Sequence, residues 1–372
     1  MYIDAIAELV QAFCRKAKRR RFESFSHLST MNNKVNTYIE SLLKHSGHYV
    51  PNETDQKILK NVGIPGYVKS KLVSKKYRKW RLDNECDELI DTEISNSIRE
   101  SRPLKVFFSQ GCYKLWRVMS SPNPNWAEFF NIAYLITYLS PIAAIYKPGV
   151  EITYYFLTVL PQTHNNLSEA EVISYKEGFI KLLNEFRKYL PDNLKVNLVT
   201  ELDSRTRSKY DDELHQAMVY AEERFYSWNQ AKQTDYIRRA WLNIKWNGVE
   251  PWHTLNKDQK LRIVKKAVLY EYAATQDILV KDKIGKGVIL STLPKEDSIG
   301  IGSTYTSVAK HWVGEGVLEN SGSGDFHSRI LSPSQYGLAQ MTPHELVDTG
   351  VIPISGFENI EVYPKSFDFT KK

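Results

Sequence analysis

The sequence predicts an α/β fold in which a central, largely parallel sheet is flanked by helices. The first observation behind this is the order of elements between residues 102 and 206, where short β-rich runs alternate with longer helical segments. Such alternation is typical of parallel sheets, because the crossover between two parallel strands is usually a helix. The second is composition: 42% hydrophobic and 25% charged residues over 372 positions allow a sizeable core and are far from the signature of disorder.

Residues 1–101 are predicted to form a basic, mainly helical N-terminal region. Apolar residues at helical spacing predict a helix over 2–14, which runs into a basic cluster at 15–21. A second basic stretch between Lys57 and Arg81 holds nine Lys or Arg and no Asp or Glu. Two interpretations stay open for these clusters: a solvated face of a protein with a formal charge of +7, or a surface for a polyanion.

Residues 102–206 are predicted to form the α/β core. The run PLKVFFSQG at 103–111 predicts a first strand, which a loop rich in Pro and Asn follows at 120–126. A buried helix is then predicted from 126 to 139, with a break at Pro141, followed by a turn and a second strand over 150–159. Ser168 and Glu171 match a capping box, which predicts a helix over 169–189, and LKVNLVT at 194–200 alternates as a third strand.

The rest of the chain is predicted to form a helical insertion over 207–285 and a β-rich part over 286–372, which completes the core and ends in an irregular tail. Residues 129–146 carry no charge, but the polar residues and the proline among them favour a buried helix over a membrane span. Acidic residues precede the first basic cluster, the reverse of a secretory signal, and three cysteines without a C-x-x-C pair suit a reducing compartment. We therefore expect a soluble, cytoplasmic protein with no membrane partner, and the oligomeric state stays open.

Several common catalytic motifs are missing from the sequence. It has no G-x-x-x-x-G-K-[ST], no strand-linked G-x-G-x-x-G, no H-E-x-x-H and no G-x-S-x-G, which argues against the common nucleotide hydrolases and zinc proteases. The nine histidines are dispersed and lack carboxylates at metal-ligand spacing, so neither a metal site nor a cofactor is predicted.

Three polar segments are predicted to meet at the carboxyl edge of the sheet, where open α/β sheets bind ligands. The first follows the first strand, the second follows the third strand, and the third is the glycine-containing run at 299–316. Because Arg binds anions through a planar fork and Lys binds them as a point charge, these segments predict a small anionic substrate that carries a phosphate or a carboxylate. The candidate substrate-binding residues are Lys114, Arg117, Asn123, Asn125, Asp203, Arg205, Arg207, Ser303, Thr304 and Lys310. Glu128 and His311 are the candidate catalytic acid–base groups.

Each of these segments also has a structural interpretation, which the sequence leaves open. Lys114 and Arg117 fit ordinary surface cations, and Glu128 fits the first turn of a helix, where the helix dipole favours a carboxylate. Asp203 fits a helix N-cap. The glycines of the third segment fit the bends of a hairpin, with His311 as a structural histidine.

Residues 114–202 resemble the isocyanide (isonitrile) synthase family. The matching features are a basic residue and an SPN loop, an acidic helix start, a long apolar helix, a YxPG turn before a strand, and a helix that contains a tyrosine. In this sequence they are Lys114, Ser121, Pro122, Asn123, Glu128, the run YKPGVEITYYF at 146–156, and Tyr175. The family carries Ser-Asp-Gly after that strand, whereas this chain has Phe156, Leu157 and Thr158, so the family's carboxylate is missing at that position.

The resemblance implies an α/β synthase in which the amine of an amino acid condenses with the ketone of a pentulose phosphate. Proton transfers and carbon–carbon cleavage would follow, with Glu128 and His311 as the acid–base groups. The phosphate would be held by the basic side chains Lys114, Arg117, Arg205 and Lys310. The fold transfers from this resemblance more directly than the reaction does.

The alternative function is the binding or modification of nucleic acid by the second basic stretch. Its lysines and arginines would neutralise phosphates, while its aromatic residues would stack on bases. The candidate residues are Lys69, Lys71, Lys75, Lys76, Tyr77, Arg78, Lys79, Trp80 and Arg81.

Overall fold

The computed structural model describes residues 25–112, 123–165, 167–203, 205–243, 250–275, 287–292, 298–302, 314–322, 325–366 and 369. The expected helix at 2–14 and the basic cluster at 15–21 lie outside these residues. So do six of the candidate site residues, namely Lys114, Arg117, Ser303, Thr304, Lys310 and His311.

The N-terminal region contains three described helices, α1 (Phe25–His45), α2 (Glu53–Leu72) and α3 (Asn84–Arg99). A capping box formed by Asn52 and Asp55 begins α2, and each side chain bonds the other residue's backbone N–H. The helix bends at Gly63, which has a φ of +65° and lies two residues before Pro65. The buried faces of α1, α2 and α3 join the main core.

The core is a five-stranded parallel sheet with the order β3-β2-β1-β4-β5, which confirms the predicted α/β class. Its strands are β1 (Leu104–Gln110), β2 (Val150–Phe156), β3 (Leu194–Thr200), β4 (Val288–Ser291) and β5 (Ile299–Gly300). In the register of the three long strands, Leu104 pairs with Val150, which in turn pairs with Leu194. All five carboxyl ends therefore point to one edge of the sheet.

The helix after β1 is α4 (Trp126–Ile145), and it continues through Pro141, where the sequence predicted a break. Pro141 has no N–H to offer the carbonyl of Thr137, but the Ser140 hydroxyl donates to that oxygen over 3.1 Å. Among the described helices, α4 is the one long and apolar enough to cross a membrane, and 83% of its most apolar window is buried inside the molecule. It is therefore packed as a core helix.

After β2 come the short helix α5 (Val159–Asn165) and then α6 (Glu169–Arg187), which the Ser168–Glu171 capping box begins as predicted. The insertion after β3 is helical, with α7 (Arg207–Ser227), α8 (Gln230–Asn243) and α9 (Lys257–Thr275). Their apolar faces form a second core cluster with Tyr155, Leu157 and Val159 at the end of β2. The insertion thus covers the carboxyl half of one sheet face.

A second sheet, in the order β7-β6-β9-β8, lies in the C-terminal part. Its elements are β6 (Glu315–Asn320), β7 (Phe326–Leu331), β8 (Glu345–Asp348) and β9 (Asn359–Pro364), with the helix α10 (Pro333–Ala339) between β7 and β8. The predicted irregular tail is therefore wrong for β8 and β9. The parallel pairing of β9 with β6, which sets Leu318 beside Val362, joins distant parts of the chain and leaves no local pattern in the sequence.

Candidate functional site

The strand order places a topological switch point between β1 and β4. From β1 the chain builds the sheet outward through β2 and β3, and it then returns to add β4 on the other side of β1. Ligands of open α/β sheets bind outside the carboxyl ends of the strands at such a point. Here the two strands end at Gln110 of β1 and Ser291 of β4. Close to these ends in the sequence, the buried hydroxyls of Thr292 and Ser298 have no hydrogen-bond partner among the described residues.

One predicted polar segment follows β1 and leaves the sheet at this switch point, and another follows β5, one strand further out beyond β4. Lys114 and Arg117 belong to the segment that follows β1, and Ser303, Thr304, Lys310 and His311 belong to the one that follows β5. Since these side chains lie outside the described residues, their convergence stays a prediction. What the structure describes is that the two strands carrying these segments end at the same edge of the parallel sheet, with β4 between them.

A buried chain of hydrogen bonds joins both ends of the segment that follows β1. The Gln110 side-chain amide donates to the Tyr175 hydroxyl over 3.2 Å, and that hydroxyl donates to Glu128 Oε1 over 2.6 Å. Glu128 Oε2 accepts the backbone N–H of Asn125 over 2.8 Å, and the Asn125 amide donates to Glu315 of β6. Burial, followed by the charge of Glu128, raises the pKa of the Tyr175 phenol well above its ordinary value.

Glu128 and Asn125 therefore form the capping box of α4, with the Asn125 side chain accepting the N–H of Ala127 over 2.8 Å. Glu128 is fully buried, which fits the structural interpretation; a role in catalysis stays a prediction. Asn123 lies two residues before the N-cap of α4. It lines a cavity of about 290 Å³ together with Gly178 and Lys181 of α6 and Ser355.

The segment after β3 folds back on its own neighbours. Asp203 accepts hydrogen bonds from the backbone N–H and the hydroxyl of Thr200, each over 2.7 Å. Buried Arg205 pairs with Glu213 of α7, and exposed Arg207 pairs with Asp211 over 3.0 Å. The N-cap of α7 is Thr206, not Asp203, and it accepts the N–H of Lys209 over 3.3 Å.

Sequence reasoning missed Glu201, the residue directly after β3. Its carboxylate accepts the backbone N–H groups of Thr158, over 2.5 Å, and of Val159, at the carboxyl end of β2. Glu201 is 1% exposed, and burial raises the pKa of its carboxyl group. The only sequence signal was an acidic residue at the end of a buried strand, yet it puts a carboxylate at the strand end where the resemblance found one missing.

A cavity of about 460 Å³ lies on the sheet face that α7 and α9 cover in part. Side chains from β1, β2 and β3 that point to this face line it. The lining includes Lys105, Phe107, Glu151, Tyr155 and Asn197, with Thr200 and Asp203 at the carboxyl end of the strands.

The basic stretch proposed for nucleic acid is largely engaged within the molecule. Lys69 of α2 contacts Asp87 and Asp91 of α3 over 3.0 and 2.6 Å, and Lys71 contacts buried Asp55 over 2.5 Å.

The aromatic residues of this stretch are packed as well. Tyr77 is 7% exposed and stacks on Tyr138 at 4.5 Å between ring centroids, and Trp80 packs against Gly300 of β5. The backbone of Arg78 and Lys79 bonds to β5 or the residue after it. Lys75, Lys76 and Arg81 are the exposed members. Nothing in the described residues supports the nucleic-acid alternative.

Comparison with known proteins gives a match at the level of structure alone. No family profile matches the sequence, and no curated protein matches it. Among solved structures, the PvcA protein from Pseudomonas aeruginosa superposes with a TM-score of 0.58 and 16% sequence identity, covering 81% of this chain and 99% of that one. The match shows a shared α/β fold.

Among the described residues, no group of three or more His, Cys, Asp or Glu side chains is arranged to hold a metal ion.

Proposed function

We propose that this protein is a biosynthetic enzyme of the isocyanide-synthase type, acting on a small phosphorylated substrate at the carboxyl edge of the five-stranded sheet. The observation that carries this proposal is the fold match over 99% of the PvcA chain. The switch point between β1 and β4 supports it, because Lys114 and Arg117 follow β1 directly at that point.

The proposed reaction joins the amine of an amino acid to the ketone of a pentulose phosphate, with loss of water and formation of a carbon–nitrogen double bond. Proton transfers and cleavage of both carbon–carbon bonds of the former ketone carbon would then leave that carbon on the nitrogen as an isocyanide. Its one-carbon substituent would leave as formaldehyde, and its three-carbon substituent as hydroxyacetone and inorganic phosphate. Lys114, Arg117 and Lys310 are proposed to hold the phosphate, and His311 and Glu128 to move protons. Arg205 is a weaker candidate than the sequence suggested, because its charge is already paired with Glu213.

We place the reaction in a reducing cytoplasm. The support for this proposal is that Cys86 and Cys112 are both buried free thiols.

The test is incubation of the purified full chain with each proteinogenic amino acid and with ribulose 5-phosphate labelled with ¹³C at its carbonyl carbon. Tetrazine trapping followed by mass spectrometry would detect an isocyanide that carries the label. We expect labelled product from at least one amino acid. Its complete absence would remove the proposed function.

The same assay tests the two basic residues after β1. Lys114→Ala and Arg117→Ala should each lower kcat/KM about tenfold or more, because a hydrogen bond to a charged group contributes about 1.5–3 kcal/mol. Lys147→Ala, at an exposed lysine of the turn before β2, is the matched control and should behave as wild type. Wild-type kinetics in both Lys114→Ala and Arg117→Ala would show that neither residue holds the substrate.

A further inference from the structure

The carboxyl ends of β2 and β3 hold a cluster of buried polar groups that the proposed acid–base residues do not include. Glu201, Tyr155 and Tyr210 are 1%, 3% and 0% exposed. Glu201 Oε2 and both phenol hydroxyls have no hydrogen-bond partner among the described residues. Because buried polar atoms are nearly always hydrogen-bonded, three such atoms in one cluster indicate that a polar group of another molecule belongs there.

The contacts at the ends of β2 and β3 place these groups near one another. Glu201 Oε1 accepts the N–H groups of Thr158 and Val159, which fixes the carboxylate at the end of β2, and Oε2 takes no part in these two bonds. Tyr155 and Tyr210 belong to one packed cluster, and the charge of Glu201 raises the pKa of both phenols in addition to the effect of burial. The cluster is therefore one site with several polar atoms.

The charge around this site favours a cation. Three carboxyl groups, those of Glu201, Asp203 and Glu213, act on Tyr155, against one guanidinium, that of Arg205. Arg205 is paired with Glu213 and also lies over the Tyr210 ring at 5.5 Å. A primary ammonium group would supply three N–H donors to carboxylate and phenol oxygens and a positive charge beside these carboxyl groups.

The cavity of about 460 Å³ reaches this cluster at Tyr155. Tyr155, Thr200 and Asp203 line its carboxyl end, while Lys105, Glu151 and Asn197 line its other end. Its volume lies within the range of small-molecule sites, about 300–1,000 Å³. A ligand in this cavity would place one end group against Tyr155.

We propose that Glu201, Tyr155, Tyr210 and Asp203 bind the primary ammonium group of a small organic ligand at the carboxyl end of this cavity. As the place where an amine reactant is held, the site rests on the proposed function; as an amine-binding site it does not.

The test uses benzylamine, benzyl alcohol and benzoate, which share a ring and differ in the charge of one group. Ligand-observed NMR titrations at neutral pH would give the affinity of the full chain for each. We expect benzylamine to bind more tightly than the other two, and Glu201→Gln to weaken it about tenfold or more. Tyr155→Phe should weaken it by less. The matched control is Glu151→Gln at the opposite end of the cavity, which should bind benzylamine as wild type does.

Four results would overturn the site: benzylamine that binds no better than benzoate, no binding of any probe, wild-type affinity in Glu201→Gln, or equal loss in Glu151→Gln. In Glu201→Gln the side-chain amide oxygen can still accept the Thr158 and Val159 N–H groups, so the fold should persist, and a thermal melt checks this. If Glu201→Gln does not fold, Tyr155→Phe decides, and unchanged benzylamine affinity in that variant overturns the site.

A negative result in the binding test can be distinguished from a negative result in the turnover assay. If benzylamine binds through Glu201 but the wild-type protein gives no isocyanide product, the site stands and the proposed function is wrong. Labelled product from Glu201→Gln with a wild-type KM for the amino acid keeps the function and shows that this site does not hold the amine reactant.

Discussion

The Tyr175 side chain links the two ends of the segment that would carry Lys114 and Arg117. Through its hydroxyl it joins Gln110, the last residue of β1, to Glu128 in the first turn of α4. Tyr175 is fully buried, and its ring packs beside Phe156 at the end of β2. One residue of α6 thus joins the point where the chain leaves the sheet to the point where it enters α4.

Tyr175→Phe should lower the free energy of unfolding by about 1–3 kcal/mol, since it removes two hydrogen bonds in a buried site and leaves the packing intact. Urea unfolding of the purified protein measures this difference. Tyr220→Phe, at an exposed tyrosine of α7, is the control and should change little. Equal stability of the two variants would mean that the buried bonds contribute nothing net.

Glu201 gives a prediction for the pH dependence of stability. Burial raises its pKa above the ordinary value of 4.5, so the folded state keeps a proton that the unfolded state releases as pH rises. The contribution of this carboxyl group to stability is therefore greatest below pH 4.5 and is lost as pH rises toward the folded-state pKa. Glutamine does not titrate. Hence the unfolding free energy of Glu201→Gln minus that of wild type should increase as pH rises above 4.5 and then level off.

Urea unfolding at a series of pH values from below 4.5 to neutrality measures this difference between the two proteins, so contributions of the other carboxylates cancel. A difference that stays flat or decreases over that range would show that the Glu201 carboxyl group is no harder to ionise in the folded protein than in the unfolded chain.

At the scale of elements, local sequence signals decide where helices begin, and tertiary contacts decide whether they continue. Capping boxes at Asn52, Asn125 and Ser168 begin α2, α4 and α6. Pro141 does not end α4, because the helix is buried on all sides and Ser140 satisfies the carbonyl that the proline leaves without a donor. A helix-breaking residue in the sequence is therefore outweighed when the surrounding core holds both sides of it.

The turn between α4 and β2 depends on Gly149. Its φ is +81°, and a Cβ at this position would lie 1.8 Å from the carbonyl oxygen of Asn193, which accepts the N–H of Val150. We expect Gly149→Ala to destabilise the protein by at least about 1–3 kcal/mol, the effect of a strained backbone conformation alone. Thermal and urea unfolding would measure it.

Gly337 in α10 is the matched control for this substitution. It has no heavy atom within 4 Å of an added Cβ, so Gly337→Ala should stabilise the helix by about 0.5–1 kcal/mol. If the two alanine variants were equally stable, the close approach of Gly149 to Asn193 would not constrain the turn.

At the scale of the whole molecule, the sequence predicted the parallel core well because its signals are local. Alternating or apolar runs between helices place β1, β2 and β3 within a few residues of their observed bounds. It missed β8 and β9, since the pairing of Leu318 with Val362 depends on contacts between distant segments. Sequence reasoning missed Glu201 for the same reason. That carboxylate is buried where the ends of β2 and β3 meet, and its bonds to Thr158 and Val159 join distant segments of the chain.

The whole-molecule charge leads to a last prediction, on nucleic acid. The formal charge of +7 should give weak, non-specific association with DNA or RNA at low salt, which weakens steeply as salt rises because the binding releases counterions. Stacking on bases is not expected, since Tyr67 and Tyr77 are buried, and Lys69 and Lys71 already face carboxylates. Electrophoretic mobility of single- and double-stranded probes across a salt series would measure this. A shift that persists at physiological salt and disappears when Lys75, Lys76 and Arg81 are all changed to Glu would contradict the prediction and identify a nucleic-acid surface.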